Sequence, residues 1–249
     1  MKLYSFFLLF SLLLTACQNE HPFDTQKVVD SSIEAHGLKL LEGHTVRFDF
    51  RRHSYSLSRS VAGNRYTRTI QQDSSTIEDV LTTNGSFKRR INDQVVKLAD
   101  STASKYSESI NSVAYFFLLP LPLNDAAVIK EAMGIEQINN KEYYKIKVSF
   151  KQEGGGTDFE DEFRYWIGKE DSMLDYLAYS YQTNGGGIRF RQAINRRAID
   201  GLVVQDYINY RPKDKTTPLD SLPALFEQGK LIEVSRIEKK NISLLPSTD

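Results

Sequence analysis

Much of the chain alternates between hydrophobic and polar residues, the period of a β-strand that buries one face. The alternation is plainest at residues 46–50 and 146–150, where Val, Ile and Phe alternate with charged or small polar residues. Further strands are predicted near residues 54–60, 65–73, 75–83, 86–98, 160–168, 173–182, 187–198, 201–211 and 230–238. Together with a stretch that begins near residue 127, the pattern predicts about eleven to twelve strands.

Short turns separate these strands, so consecutive strands pair antiparallel in a meander. Gly63-Asn64 and Asn84-Gly85 are hairpin turn pairs, and turns are also predicted at residues 139–140, 168–171, 184–187 and 200–201. The turns in the second half leave no room for a helix after each strand, which argues against a TIM barrel or a Schiff-base aldolase of that fold. The fold class is mainly β with a few helices.

Helical spacing occurs in two longer stretches and one short one. Asp24 can cap a helix that runs to about His36, with Gly37 as its stop. A second helix is predicted from Asp100 or Ser101 through Leu118, where two prolines follow. A short helical turn is predicted at residues 225–228.

The second helix ends in a run of nine apolar residues, 115–123, which is too short to span a bilayer. Two interpretations remain open. The run is either a lid that presents its apolar side to a ligand, or core filler that closes a curved sheet.

The N-terminus has the layout of a bacterial export signal. Lys2 supplies a positive charge, an apolar stretch covers residues 3–14, and Leu14-Thr15-Ala16-Cys17 resembles the lipobox of bacterial lipoproteins. We therefore expect a signal peptide at residues 1–16, a lipidated tether at 17–23 with palmitate or a similar acyl chain on Cys17, and one domain at 24–249. The alternative is a plain secretory signal with a coincidental cysteine.

This leader places the protein in the cell envelope, anchored to a membrane by its N-terminal lipid. No Asp follows Cys17, so the outer membrane is favoured, on its periplasmic or surface face. Cys17 is the only cysteine, which rules out a disulfide within the chain and a zinc site built from several cysteines.

Charge excludes one class of partner. The chain carries 32 basic and 32 acidic residues, and removing residues 1–16 takes away only Lys2 among them. A nucleic-acid-binding protein would have a clear basic excess, so no nucleic acid is expected as a partner. We expect a monomer without a cofactor.

The order of elements resembles the LolA/LolB-like lipoprotein carriers: a lipoprotein leader, a short helix, a meander, a mid-chain helix ending in apolar prolines, and more long strands. That resemblance implies a curved antiparallel half-barrel with the mid-chain helix over its concave face and an acyl chain as ligand. Several segments more closely resemble an uncharacterised lipoprotein family of Bacteroidota, namely residues 115–123, 154–158, 165–166, 175–179, 189–191 and 205–210.

A lipid or other hydrophobic ligand in such a cavity is therefore the expected function. The candidate ligand-binding residues are the apolar run together with aromatic and charged residues on neighbouring strands: Tyr115, Phe116, Phe117, Leu119, Leu121, Trp166, Asp175, Tyr179, Arg189, Arg191 and Tyr207. The alternative for the charged members is a set of cross-strand pairs on a solvated outer face. Tyr207 and Asn209 are expected on one strand face, and Asp206 and Tyr210 on the other.

Catalytic and metal motifs are weak. The four histidines, His21, His36, His44 and His53, form no metal-ligating spacing. His36 and His44 flank the first helix-to-strand turn and are expected to be solvated there, with a metal site as the alternative. A cluster of acidic residues precedes a strand: Asp158, Glu160, Asp161 and Glu162. Three interpretations are open, namely a solvated loop, a carboxylate pair for acid–base catalysis and a calcium site. An envelope hydrolase using Asp161, Asp175 or Arg189 is one alternative function, and a structural or partner-binding lipoprotein without a cavity is another.

Overall fold

The computed structural model describes residues 22–60, 63–156 and 159–247. The predicted signal peptide, Cys17, His21 and Asp158 lie outside these residues. Within them, fourteen strands form two antiparallel sheets of seven strands each. The strands are β1 His44–Phe50, β2 His53–Ser60, β3 Gly63–Gln72, β4 Ser75–Thr82, β5 Phe87–Ile91, β6 Gln94–Val96, β7 Val128–Ile138, β8 Lys141–Phe150, β9 Glu162–Gly168, β10 Leu174–Tyr181, β11 Gly187–Ile199, β12 Leu202–Arg211, β13 Ile232–Ile237 and β14 Lys239–Pro246.

The first sheet has the order β14-β1-β2-β3-β4-β5-β6, and the second has the order β13-β12-β11-β10-β9-β8-β7. Both are curved and almost wholly meanders, because sequential strands pair. The exception is β14, which pairs with β1 at the far end of the chain. Since β13 ends at Ile237 and β14 begins at Lys239, the chain passes from the second sheet to the first within two residues. The prediction of a mainly β, antiparallel fold is confirmed.

Three α-helices accompany the sheets: α1 Thr25–Ala35, α2 Asp100–Leu118 and α3 Leu222–Glu227. The Asp24 carboxylate accepts hydrogen bonds from the N–H groups of Gln26 and Lys27, which confirms the predicted cap. Gly37 follows α1 with a φ of 67°, and a Cβ there would collide with the Gly201 carbonyl. Among the helices of the described ranges, none combines the length and apolar character needed to cross a membrane.

A main core lies between the two sheets. Phe48 and Leu57 from the first sheet, Ile146 and Leu177 from the second, and Leu118 of α2 are buried there together. Their strand faces alternate with more exposed positions, as the period-two pattern predicted. We call the side of each sheet that meets this core its inner face.

A second core covers the outer face of the second sheet. Trp166, Tyr176 and Phe190 are buried on that face, with Leu222 and the partly buried Phe226 of α3 packed over them. Because a core covers each face of the second sheet, nearly all residues of β9 are buried. Neither the second core nor the role of α3 in closing it was predicted.

Three details of the predicted meander were wrong. The stretch 86–98 is two strands, because Asn92 and Asp93 adopt φ values of 48° and 64° and turn the chain between β5 and β6. Gly63 and Asn64 lie within β3, opposite β2, instead of in a turn. Strand β14 was missed. The turns at Asn84-Gly85, residues 139–140 and residues 200–201 are confirmed.

Candidate functional site

A cavity of about 280 Å³ lies between α2 and the two sheets. Its walls come from β1, the turn after β1, α2 and the strands β11 to β14. Aromatic rings and aliphatic side chains share these walls with hydroxyl, amide and cationic groups. The lining residues are Phe48, Phe50, Arg51, Ser109, Ser112, Val113, Phe116, Phe117, Arg191, Tyr207, Asn209, Ser235, Ile237 and Lys239.

Helix α2 brings the rings of the apolar run to this cavity. Ala114 and Leu118 are fully buried and fix the helix against the main core. Phe116 and Phe117 lie between these two residues in the sequence and line the cavity. The Phe117 ring is stacked on the Phe48 ring at a centroid distance of 4.2 Å. Some residues of the run therefore fill the core, and others line the cavity.

Arg191 on β11 is the most buried cation of the cavity wall, with 7% of its surface exposed. Its guanidinium carbon lies 3.8 Å from the centre of the Phe116 ring, a cation–π arrangement. Arg191 Nη2 donates a hydrogen bond of 2.7 Å to the Tyr179 hydroxyl. Arg191 Nε is buried and has no hydrogen-bond partner among the described residues.

Lys239 opens β14 and is equally buried, at 8% exposure. Its ammonium donates to the Gln205 carbonyl and lies 5.0 Å from the centre of the Tyr207 ring. Burial lowers the pKa of Lys239 to about 7; the nearby Asp206 opposes this shift, and the positive charges of Arg197 and Arg191 add to it. Asp206 itself accepts a hydrogen bond from the Lys239 backbone N–H at 3.0 Å.

A buried ion triad lies beneath the middle of α2. Asp79 on β4 is fully buried and accepts hydrogen bonds from Arg68 on β3 and Arg89 on β5, at 2.6 and 2.7 Å. Arg68 also donates to Ser109 Oγ of α2 at 3.1 Å, and the Arg89 guanidinium lies over the Tyr106 ring at 3.9 Å. Burial favours a raised Asp79 pKa, but the hydrogen bonds from both arginines outweigh it and lower the pKa.

Several predicted site residues gather at or beside the cavity. Phe116, Phe117, Arg191 and Tyr207 line it, as does Asn209, which shares the inner strand face of Tyr207 as predicted. Tyr179 reaches the cavity wall through its bond to Arg191. The others from the apolar run belong to the main core: Leu119 is buried there, Leu121 packs against it, and Tyr115 hydrogen-bonds the Tyr165 hydroxyl at 2.8 Å.

Three predicted site residues lie elsewhere. Trp166 is fully buried in the second core, because its position on β9 points to the outer face. The register of β10 against β9 shifts at Asp175, whose carboxylate contacts Lys141 and Arg196 away from the cavity. Arg189 shares the strand face of Arg191, but its guanidinium lies over the Tyr181 ring at 5.1 Å.

Lys239 was not predicted as a site residue, and neither was the wall that β14 contributes. The last predicted strand stopped at residue 238, although Ile242 and Leu244 continue an alternating pattern beyond it. Phe48 and Phe50 were recognised as a buried strand face but not as cavity residues. Arg68, Asp79 and Arg89 also alternate with their neighbours, and charged residues at inward positions were a signal for the buried triad.

His36 and His44 differ from the expected solvated turn, since His44 is the first residue of β1 and is partly buried. His36 is buried instead of solvated, and its Nδ1 lies 2.8 Å from the Ser32 carbonyl. Burial lowers its pKa. Glu162 pairs with Arg164 at 3.0 Å. In the parts of the chain that the structure describes, no three His, Cys, Asp or Glu side chains are grouped as metal ligands.

Comparison with known proteins gives one family and distant structural likenesses. A family model described as a family of unknown function, DUF6503, matches residues 2–239. No curated protein matches the chain.

Among solved structures, the chain is similar to a LolA superfamily protein from Nitrosomonas europaea, with 11% identity, a TM-score of 0.49, and coverage of 91% of this chain and 96% of that one. A DUF1329 family protein from Desulfovibrio piger matches with 8% identity, a TM-score of 0.43, and coverage of 88% and 92%. Lipoprotein LppX of Mycobacterium tuberculosis matches with 12% identity, a TM-score of 0.28, and coverage of 66% and 91%. These scores are too low for the likenesses to support a function.

Proposed function

The chain belongs to DUF6503, a family of unknown function, and we propose that it is a membrane-anchored envelope lipoprotein that binds a lipid or other hydrophobic ligand in the cavity beneath α2. The observation that carries this proposal is the aromatic lining of that cavity. Phe48, Phe116 and Phe117 present rings to a cavity that opens to solvent beside the exposed residues Ser109 and Ser112. Protein interiors are normally close-packed, so a cavity of this kind is a candidate binding site.

The size and composition of the cavity suit a small apolar ligand. Its volume of about 280 Å³ is near the lower end of ligand pockets, which run from roughly 300 to 1,000 Å³. A single acyl chain or a part of one is a better match than a molecule with several chains. Hydroxyl and amide groups from Ser109, Ser112 and Asn209 supply the few polar contacts that orient a ligand in an apolar pocket.

The anchor is proposed on sequence grounds. An acyl group on Cys17 would tether the domain at an envelope membrane, with the outer membrane favoured, as a monomer. Residues 17–23 would form a short tether, since α1 begins at Thr25. A protein held at a membrane surface with a cavity for a hydrophobic ligand would act as an acceptor or sensor of lipid more readily than as a diffusing carrier.

Two variants of α2 test ligand binding. Both residues are exposed and adjacent on the same helix, but Ser112 lines the cavity and Asn111 does not, so Ser112→Trp places a large ring at the cavity and Asn111→Trp places it beside the cavity. Full-length wild-type protein and both variants, purified from the native host, are compared by native mass spectrometry followed by lipid extraction. We expect lipid with the wild type and Asn111→Trp, and much less with Ser112→Trp.

The absence of co-purifying lipid from the wild type, combined with no binding of an added fatty acid, would overturn the proposal. Equal lipid on all three proteins would place the lipid outside this cavity. For the hydrolase alternative, Asp175 and Arg189 do not converge: Asp175 lies four residues, about 13 Å, along β10 from Tyr179, the residue that pairs with Arg189.

A further inference from the structure

We propose that the ligand carries an oxyanion, and that Arg191 and Lys239 bind this group while the aromatic rings hold an apolar chain. The inference rests on the proposed function and adds the chemical class of the ligand. It starts from the charge of the cavity wall. Arg51, Arg191 and Lys239 line the cavity, and the lining contains no Asp or Glu within the described ranges.

The two buried cations have no carboxylate partner. Within the described parts of the chain, no ion pair within 4.0 Å involves Arg191 or Lys239, although sixteen such pairs join other residues. Buried cations are normally paired, because removing a charge from water is costly. Asp206, the acid whose charge acts on Lys239, is held by Arg197 at 3.1 Å and by the Lys239 backbone N–H. Two buried cations without a carboxylate partner, both on the cavity wall, therefore favour the binding of an anionic ligand.

Hydrogen-bond donors are also in excess. Arg191 has five N–H donors, and one hydrogen bond, to the Tyr179 hydroxyl, engages them among the described residues. The Nε of Arg191 is buried and has no hydrogen-bond partner among the described residues. The Lys239 ammonium has three donors and makes one described hydrogen bond, to the Gln205 carbonyl. Oxyanions such as carboxylate and phosphate accept several hydrogen bonds at once and match these spare donors.

Arg191 is positioned for the junction between the polar and apolar parts of such a ligand. Its guanidinium carbon lies 3.8 Å from the centre of the Phe116 ring, and Phe116 adjoins Phe117 on α2. This cation–π contact holds the guanidinium beside the aromatic wall. An oxyanion bound at Arg191 thus leaves an attached chain next to Phe116, Phe117 and Phe48.

The pKa of Lys239 agrees with this geometry. Burial lowers it to about 7, and Asp206 does not offset burial together with the positive charges of Arg197 and Arg191. A bound anion would restore the charged form of the ammonium. The positive charges of Arg191 and Lys239 would oppose a cationic ligand.

Binding measurements on the full-length protein test the charge requirement. Oleate, oleyl phosphate and neutral oleyl alcohol share one chain and differ in the head group. We expect oleate or oleyl phosphate to bind at least tenfold more tightly than oleyl alcohol, with the ratio of the two anions separating a carboxylate site from a phosphate site. Arg191→Gln should lower the affinity for the anion about tenfold and leave oleyl alcohol within twofold.

Arg189→Gln is the matched control, because it removes the same charge from the same strand face at a side chain that contacts Tyr181 and does not line the cavity. It should bind all three ligands like the wild type. Lys239→Met is the second variant, should Arg191→Gln unfold, and it should also reduce the preference for the anion. Circular dichroism checks that each variant is folded.

The outcomes separate this inference from the proposed function. Equal affinity for anionic and neutral chains would overturn the inference and leave a hydrophobic ligand in place. Binding of none of the three would overturn the proposed function. If inorganic phosphate or acetate displaced a fluorescent apolar probe as well as oleate did, the cations would bind a free anion, and the inference of a chain with an oxyanion head would be wrong.

Discussion

Arg68 Nη2 on β3 donates to Asp79 Oδ2 on β4 at 2.6 Å, with the carboxylate fully removed from solvent. Arg89 binds the same carboxylate from the other neighbouring strand. One acid thus balances part of the charge of two buried arginines, and Arg68 links this triad to Ser109 of α2. The triad ties three strands of the first sheet to the helix whose other residues line the cavity.

Asp79→Asn should destabilise the protein by about 3–5 kcal/mol, because it leaves two buried guanidinium groups without a counter-charge. The free energy of unfolding in urea measures the effect. Glu78→Gln is the control on the same strand. Its pair with Arg90 is partly exposed, so the expected cost is below about 1 kcal/mol. Similar costs for the two variants would contradict the importance of the triad.

The stability difference between wild type and Asp79→Asn should depend on pH. The pKa of Asp79 is lower in the folded than in the unfolded chain, so its contribution is present above the unfolded value of about 4. It is lost as the pH falls through the lower, folded pKa. Urea titrations from pH 7 down to pH 3 should show the two proteins converging. A constant difference over that range would show that the carboxylate charge is not responsible.

Lys239→Met should change stability in the opposite pH range. The pKa of Lys239 falls from 10.5 to about 7 on folding, so between these values the unfolded state binds more protons. Wild-type stability should therefore rise from pH 7 to pH 9 relative to Lys239→Met, by up to about 1.4 kcal/mol per pH unit. The charged groups that face the Lys239 ammonium are Asp206, Arg191 and Arg197. Parallel pH profiles without added ligand would contradict the burial of an unpaired ammonium.

Intrinsic fluorescence should be insensitive to ligand. Trp166 is the only tryptophan, is fully buried in the second core, and donates to Glu136 at 2.8 Å, so a ligand beneath α2 does not reach it. Titration with oleate should leave the wild-type emission unchanged. Phe117→Trp in a Trp166→Phe background puts the indole in the cavity wall, and its emission should shift on binding. A shift in the wild type alone would place the ligand near the second core.

Cys17→Ser should release the full-length protein from membranes. If Cys17 carries the anchor, the wild type incorporates labelled palmitate and sediments with the envelope fraction, whereas the variant does neither. The rest of the domain is unchanged, so its melting temperature should match that of the wild type in detergent. Retention of label by Cys17→Ser would contradict the lipobox interpretation and favour a plain secretory signal.

The sequence by itself determined the local elements. Asp24 and Gly37 set the limits of α1, prolines 120 and 122 follow the end of α2, and the turn pairs at 139–140 and 200–201 set antiparallel hairpins. These features depend on interactions within a few residues, namely capping, the missing proline N–H and the left-handed turn conformation. Alternation then identified which positions of β1 and β8 are buried.

Only the tertiary structure decided which buried face meets the cavity. The two-residue alternation shows which residues share a strand face with Trp166 or Arg191. Both faces of the second sheet are buried, however, so alternation in the sequence cannot distinguish a core residue from a cavity residue. The register shift between β9 and β10 at Asp175 breaks the two-residue alternation, so the face of this predicted site residue was wrong. Lys239 reached the site through the pairing of β14 with β1, where Asn241 and Asp49 meet across 192 residues. Such contacts depend on the path of the whole chain, so no local pattern contains them.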